Sequence, residues 1–243
     1  MSAYLSVDPS KVICSFLILA KLLVEVADLL KPALAAAGPE PAIGMHSVHE
    51  LDAPQKDAQY VITADPAGFG STGDLSALTI WHATDRKEVA FWEGREAPDR
   101  FAKRLRMAQR RYNNALLAVE SNATACIAIL KENNNPNLLW TNHNHPGWYA
   151  TNKRLQEAEA LLVQMLRQED IILRSRGLLH QLLNYDGTRK KRVKGLDGAT
   201  HHFDRARTAV IAADILLRRR FVKAGTTIQS KRTPGQLTIG DLD

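Results

Sequence analysis

Three carboxylates in this 243-residue chain stand where a regular element begins or ends. Asp65 closes an apolar, β-prone run (Tyr60 to Ala64) and is followed by Pro66, Gly68, Gly70 and Gly73. Glu120 closes a second apolar run, Leu116 to Val119, and Ser121 or Asn122 after it can cap a helix. Asp204 opens an Ala-rich helical stretch. Each has an ordinary role on its own. Asp-Pro initiates turns, an acid at a helix start is favoured by the dipole, and Asp204 can be an N-cap. Asp197, in Leu-Asp-Gly, is a second candidate for the last position or simply a turn. Brought together, such acids form a set of hard oxygen ligands suited to divalent ions such as Mg²⁺ or Mn²⁺. A carboxylate at the end of a buried strand is poorly solvated, so a cation is the partner it needs. His143 and His145, in Asn-His-Asn-His-Pro, have no cysteine or acid beside them and read as a polar loop.

The elements that must position these acids follow from hydrophobic periodicity. Strands are expected at 59–65, 75–82 and 87–93, with a Gly-containing turn between the first two. A helix over 97–112, a strand at Leu116–Glu120 and a helix over 122–132 come next. Leu138–Trp140 reads as a short strand before a polar loop. Residues 151–168 form an amphipathic helix, Ile171–Leu173 a short strand, 176–184 a helix, and 203–223 a final helix. Small residues at 206, 209, 212 and 213 let that last helix approach a sheet closely. A three-strand meander followed by alternating strands and helices is a mixed α/β sheet flanked by helices. Residues 10–37 read as an extra N-terminal helix, kinked and ended by Lys31-Pro32 and Gly38-Pro39. Residues 38–58 read as a linker. The expected division is 1–58 for the N-terminal helix and linker, 59–225 for the α/β domain and 226–243 for a tail.

Composition is that of an ordinary globular protein, with 45% hydrophobic and 24% charged residues. The net charge of +6 favours polyanionic partners. Cys14 and Cys126 make neither a disulfide framework nor a zinc pattern, and read as reduced thiols in a cytosolic protein. The apolar run Val12–Ala20 is too short to span a membrane. Lys21, Glu25 and Asp28 stand between it and the small residues Ala33–Ala37, against a secretory signal.

Taken in order, these stretches resemble the nuclease domain of the large terminase subunit of tailed bacteriophages, a ribonuclease H-like fold related to Holliday-junction resolvases and retroviral integrases. The resemblance runs from about Tyr60 to about Phe221. It rests on Ala64-Asp65-Pro66-Ala67-Gly68 with Gly73-Asp74-Leu75, on Val119-Glu120-Ser121-Asn122, on Gly147 to Arg154 ahead of a long helix, and on His202-Phe203-Asp204 leading the last helix. It implies two-metal-ion hydrolysis of double-stranded viral DNA, leaving 5′ phosphates and 3′ hydroxyls. It implies that Asp65, Glu120 and Asp204 bind the metal, with Asp74 as an accessory ligand. Where the family often carries two adjacent acids at the last position, Arg205 follows Asp204 here. The implied partners are a terminase ATPase domain, a small terminase subunit and a portal, in the cytoplasm of a bacterial host, with no membrane. The chain has no Gly-x-x-x-x-Gly-Lys-Ser/Thr sequence, so it reads as a nuclease without its motor. Alternative readings are a junction-resolving recombination nuclease and a non-catalytic DNA-binding assembly module.

Cations supply the expected DNA contacts. Lys153 and Arg154 sit at a helix start, where the dipole disfavours them, which points to a phosphate contact. Arg189, Lys190, Lys191, Arg192 and Lys194 form the densest basic stretch and directly precede the last acid. Arg100, Lys103, Arg104 and Arg111 load one face of the helix over 97–112, and Arg218 to Arg220 close the last helix. Contacts of this kind go to phosphate, so binding is salt-sensitive and reads little sequence.

Overall fold

The computed structural model describes residues 27–40, 47–67, 75–122, 124–132, 135, 137–142, 145–185, 193–194, 200–201, 203–219 and 221. Its centre is a five-stranded sheet. The strands are β1 (His49–Glu50), β2 (Tyr60–Asp65), β3 (Ser76–His82), β4 (Lys87–Gly94) and β5 (Leu116–Val119), in spatial order β1-β4-β3-β2-β5. The first four are joined antiparallel, and β5 lies parallel to β2. A parallel neighbour needs a crossover, and α2 (Pro98–Arg111) provides it between β4 and β5. Pro98 and Asp99 suit its first turn and Arg110 and Arg111 its last.

Alternation along the central strands assigns each residue to one of two cores. Ile62, Ala64, Leu117 and Val119 pack with Leu78, Ile80 and Trp92 beneath α2 and α3 (Thr124–Glu132). Val61 and Ala118 face the other way, toward α4 (Asn152–Arg167), α5 (Arg176–Asn184) and α6 (Asp204–Arg218). Helix α6 is buried on every side from Asp204 to Leu216, apart from an intermediate end. Ala206, Ala209, Ala212 and Ala213 have no accessible surface, which is what the small-residue spacing predicts for a helix pressed onto a sheet. Thr208 and Thr79 pair their hydroxyls at 2.6 Å across that contact.

The meander, the crossover and the long helices lie where periodicity places them, with ends shifted by a few residues. Two local expectations change. The stretch read as a linker contributes β1, whose His49 and Glu50 pair with Phe91 and Ala90 on the open edge of β4. Residues 171–173 make no strand of their own; Ile172 alone bridges to β4, accepting from Glu88 N–H and donating to the Arg86 carbonyl. The helical residues 27–36 (α1) run through Pro32 and end just before Gly38-Pro39, and Leu30 is buried in the core beneath α4 to α6. Beyond β5, β6 (Trp140–Asn142) and β7 (His145–Pro146) form a small hairpin, and β8 (Val193–Lys194) pairs with β9 (Thr200–His201). Among the described residues no helix is long and apolar enough to cross a membrane.

Candidate active site

Register and alternation together decide where the acids point. Ala64 pairs with Val119 in the parallel β2–β5 ladder, and Glu120 N–H donates to the Ala64 carbonyl at 2.9 Å. Asp65 and Glu120 are therefore neighbours one step further along. Asp65 shares a face with Val61 and Thr63, and Glu120 shares one with Ala118, the face covered by α6. Asp204 begins α6 and accepts a hydrogen bond from Leu75 N–H, just before β3 (3.4 Å). The fold thus brings Asp65, Glu120 and Asp204 to one place, from two strand ends and a helix start.

The electrostatics follow from that crowding. Asp65 is half-buried as a residue, but its carboxyl is enclosed and hydrogen-bonded to that of Glu120. Burial, then the charges of Glu120 and Asp204, push the Asp65 carboxyl well above the usual carboxylate range, and Arg207 opposes the shift. Among the described residues no three acids, histidines or cysteines are spaced as a ready-made metal cage.

One residue of the cluster was not anticipated. Arg207 lies one turn after Asp204 and grips Glu120 side-on, Nε to Oε2 at 3.0 Å and Nη2 to Oε1 at 2.9 Å. Both residues are buried, Arg207 at 9% exposure and Glu120 at 5%. Although burial disfavours its charge, the hydrogen bonds and charge of Glu120 hold Arg207 firmly protonated. Asn122 adds a third donor to Glu120, Nδ2 to Oε1 at 3.1 Å. An available signal was the small-residue spacing around α6. An arginine inside an enclosed helix needs a buried anion, and Glu120 was already a candidate.

Arg205, by contrast, turns away from the acids. It donates to Glu40 (2.8 Å) and to Ser175, lies 3.6 Å from Glu88, and stacks over Phe91. The N–H groups of Arg205 and Ala206 donate to Gln181 Oε1 at 2.9 and 3.0 Å, so α5 caps the start of α6.

Trp148 forms a wall beside the cluster. Gly147, at φ +86°, lets the chain turn in so that Trp148 N–H reaches the Val119 carbonyl at 2.7 Å. The guanidinium of Arg207 lies 5.9 Å from the Trp148 ring and that of Arg154 5.1 Å. Arg154 is committed to Asp214, through Nε at 2.9 Å and Nη2 at 2.7 Å, with Thr141 as a further partner. Lys153 beside it is exposed. Asp74, Arg189, Lys190, Lys191 and Arg192 lie outside the described residues, as do Asp197, His143 and Arg220, and Lys194 is described only as backbone in β8. The cationic helix α2 packs on the opposite face of the sheet, with Arg104 bound to Glu96 and Arg111 to Glu50.

No family model matches the chain and no curated protein matches it in sequence. Comparison of folds is informative. The large terminase nuclease from thermophilic phage G20c superimposes with a TM-score of 0.53 at 13% identity, covering 75% of this chain and 96% of that one. Its magnesium-bound form superimposes equally well, at 14% identity over 76% and 95%. The large terminase nuclease domain of Thermus phage P74-26 gives a TM-score of 0.51 at 15% identity, covering 76% and 93%. The fold is that of the phage large terminase nuclease domains on which it superimposes.

Proposed function

We propose that this chain is a divalent-metal-dependent endodeoxyribonuclease, the nuclease unit of a phage DNA-packaging terminase, acting on double-stranded viral DNA. The observation that carries the reading is the meeting of Asp65, Glu120 and Asp204 at the carboxyl ends of β2 and β5, in a fold shared with terminase nucleases.

The residues fit a divalent cation. The donors are hard carboxylate oxygens, and a cation among them would relieve the burial and mutual repulsion that push the Asp65 carboxyl up. Asp65, Glu120 and Asp204 would hold it, and Mg²⁺ or Mn²⁺ suits the ligand set. When bound, a cation of this kind acidifies an attacking water and offsets the charge on the phosphate and the leaving 3′ oxygen. The chain's own groups supply the rest. Arg207 and Asn122 fix the Glu120 carboxylate in one rotamer. Leu75 N–H orients Asp204. Trp148 excludes water from one side. Exposed Lys153 would meet a phosphate near this wall, and the basic stretch 189–194 would bind the DNA backbone as well, while Arg154 braces Trp148 and Asp214. Products would be a 5′ phosphate and a 3′ hydroxyl. A terminase ATPase domain, a small terminase subunit and a portal would be its partners, in the host cytoplasm.

The test is plasmid nicking and linearisation with Mn²⁺, with Mg²⁺ and with EDTA, beside Asp65→Asn. Cutting that needs metal and disappears in Asp65→Asn is expected. Cutting in EDTA, or wild-type cutting by Asp65→Ala, Glu120→Ala and Asp204→Ala alike, would overturn the reading. A four-way junction cut in preference to linear duplex would reassign the substrate and keep the chemistry.

A further inference from the structure

We propose that the Arg207 guanidinium is a built-in cation of the acidic centre, taking the place of a second divalent ion, so that the site accepts one metal ion rather than two. The inference rests on the metal-nuclease reading above and deepens it.

Glu120 carries the argument. A carboxylate offers about four lone-pair directions. Arg207 fills two of them from one side, Asn122 a third, and the contact with Asp65 uses what remains. One ion can lie between Asp65 and Glu120, which end neighbouring strands of the β2–β5 ladder. A second ion approaching Glu120 from its other edge meets a buried guanidinium already seated there. Moving Arg207 aside is costly, because it is buried and the paired Glu120 would be left desolvated and unmatched.

Charge leads to the same count. Ionised around a bound metal, the three described acids would carry three negative charges, and Arg207 returns one positive charge within hydrogen-bond distance of Glu120. One divalent ion neutralises the remainder, whereas two would leave an excess positive charge in an enclosed site. The position next to Asp204 is filled by Arg205, which cannot ligate a cation, and its side chain points away to Glu40, Ser175 and Glu88. Arg207 is thus a positioning residue. It holds Glu120 in place and tunes the number of ions the acids attract, without being a ligand itself.

The experiment is Mn²⁺ binding to the full chain, counted by electron paramagnetic resonance and calorimetry, for the wild type, Asp65→Asn, Arg207→Lys and Arg207→Met. Circular dichroism confirms that each variant is folded. The wild type is expected to bind one ion per chain and Asp65→Asn none. Arg207→Lys, which keeps the charge, should also bind one. Arg207→Met should bind a second ion, or bind the first about tenfold more tightly or better. Two ions on the wild type would overturn the inference, and so would a folded Arg207→Met variant with wild-type count and affinity. If Arg207→Met does not fold, the wild-type and Arg207→Lys counts decide alone. No binding to the wild type at all would instead overturn the metal-nuclease reading itself.

Discussion

Replacing Gly147 with alanine should damage this protein far more than the same change elsewhere, and the structure supplies the reasons separately. Gly147 has φ +86°, in the left-handed region, where a side chain costs roughly 1–2 kcal/mol. A Cβ there would lie 2.5 Å from the Val119 carbonyl oxygen and 2.8 Å from Ile127 Cδ1. Ile127 can rotate, but the carbonyl is backbone within the β2–β5 ladder and also receives Trp148 N–H at 2.7 Å. Overpacking of this kind costs about 1–3 kcal/mol. The total is roughly 2–5 kcal/mol, or a fall in Tm of roughly 4–20 °C for a domain of this size. Gly38→Ala is the control, because a Cβ there meets nothing within 4 Å and its φ is not positive. Differential scanning calorimetry of the two variants beside the wild type is the assay. A Gly147→Ala melt within about 2 °C of the wild type, or one matching Gly38→Ala, would refute the reasoning. Since Val119 immediately precedes Glu120, Gly147→Ala should also lose metal-dependent cutting at temperatures where it remains folded.

Two further outcomes are expected. Arg205→Met strips the buried Glu88 carboxylate and Ser175 of their cation, and should lower stability by about 3–5 kcal/mol in a urea titration; a loss below about 1 kcal/mol would mean the cluster contributes little. Burial pushes the Cys126 thiol up to about 12, so at pH 8 only about one molecule in ten thousand carries the thiolate. In a Cys14→Ser background, Cys126 should therefore resist an aromatic disulfide reagent until urea unfolds the chain, and rapid labelling of the native protein would contradict its burial.

Much of the site was legible because strands obey a period of two. An acid at the end of an alternating run inherits the face of the residue two before it, so Asp65 follows Thr63 and Glu120 follows Ala118. The small residues of α6 announced a helix pressed against a sheet, with Asp204 at its start. What escaped reading depended on partners far along the chain. β1 is two residues long and lies in a proline-containing polar stretch, and it is a strand only because β4 offers it an open edge. Ile171–Leu173 carries a strand-like composition, yet only Ile172 finds a partner. Arg207 looks like a surface charge until its neighbours on the helix are seen to be fully enclosed. Arg154 has the position of a phosphate ligand, but a buried aspartate on another helix, Asp214, occupies it.

Helix α6 brings both Asp204 and Arg207 on a single turn, and this bears on how the chain can assemble. Pairing β2 with β5 sets two carboxyl groups side by side before anything from the last third of the chain is present. The arriving helix adds a further acid to that crowded end, which alone would raise the cost of docking. It also delivers the guanidinium that clasps Glu120, so repulsion and its remedy reach the sheet in the same event. A fragment ending before α6 would lack that remedy. Its two strand-end acids would face each other with no guanidinium to offset their charge.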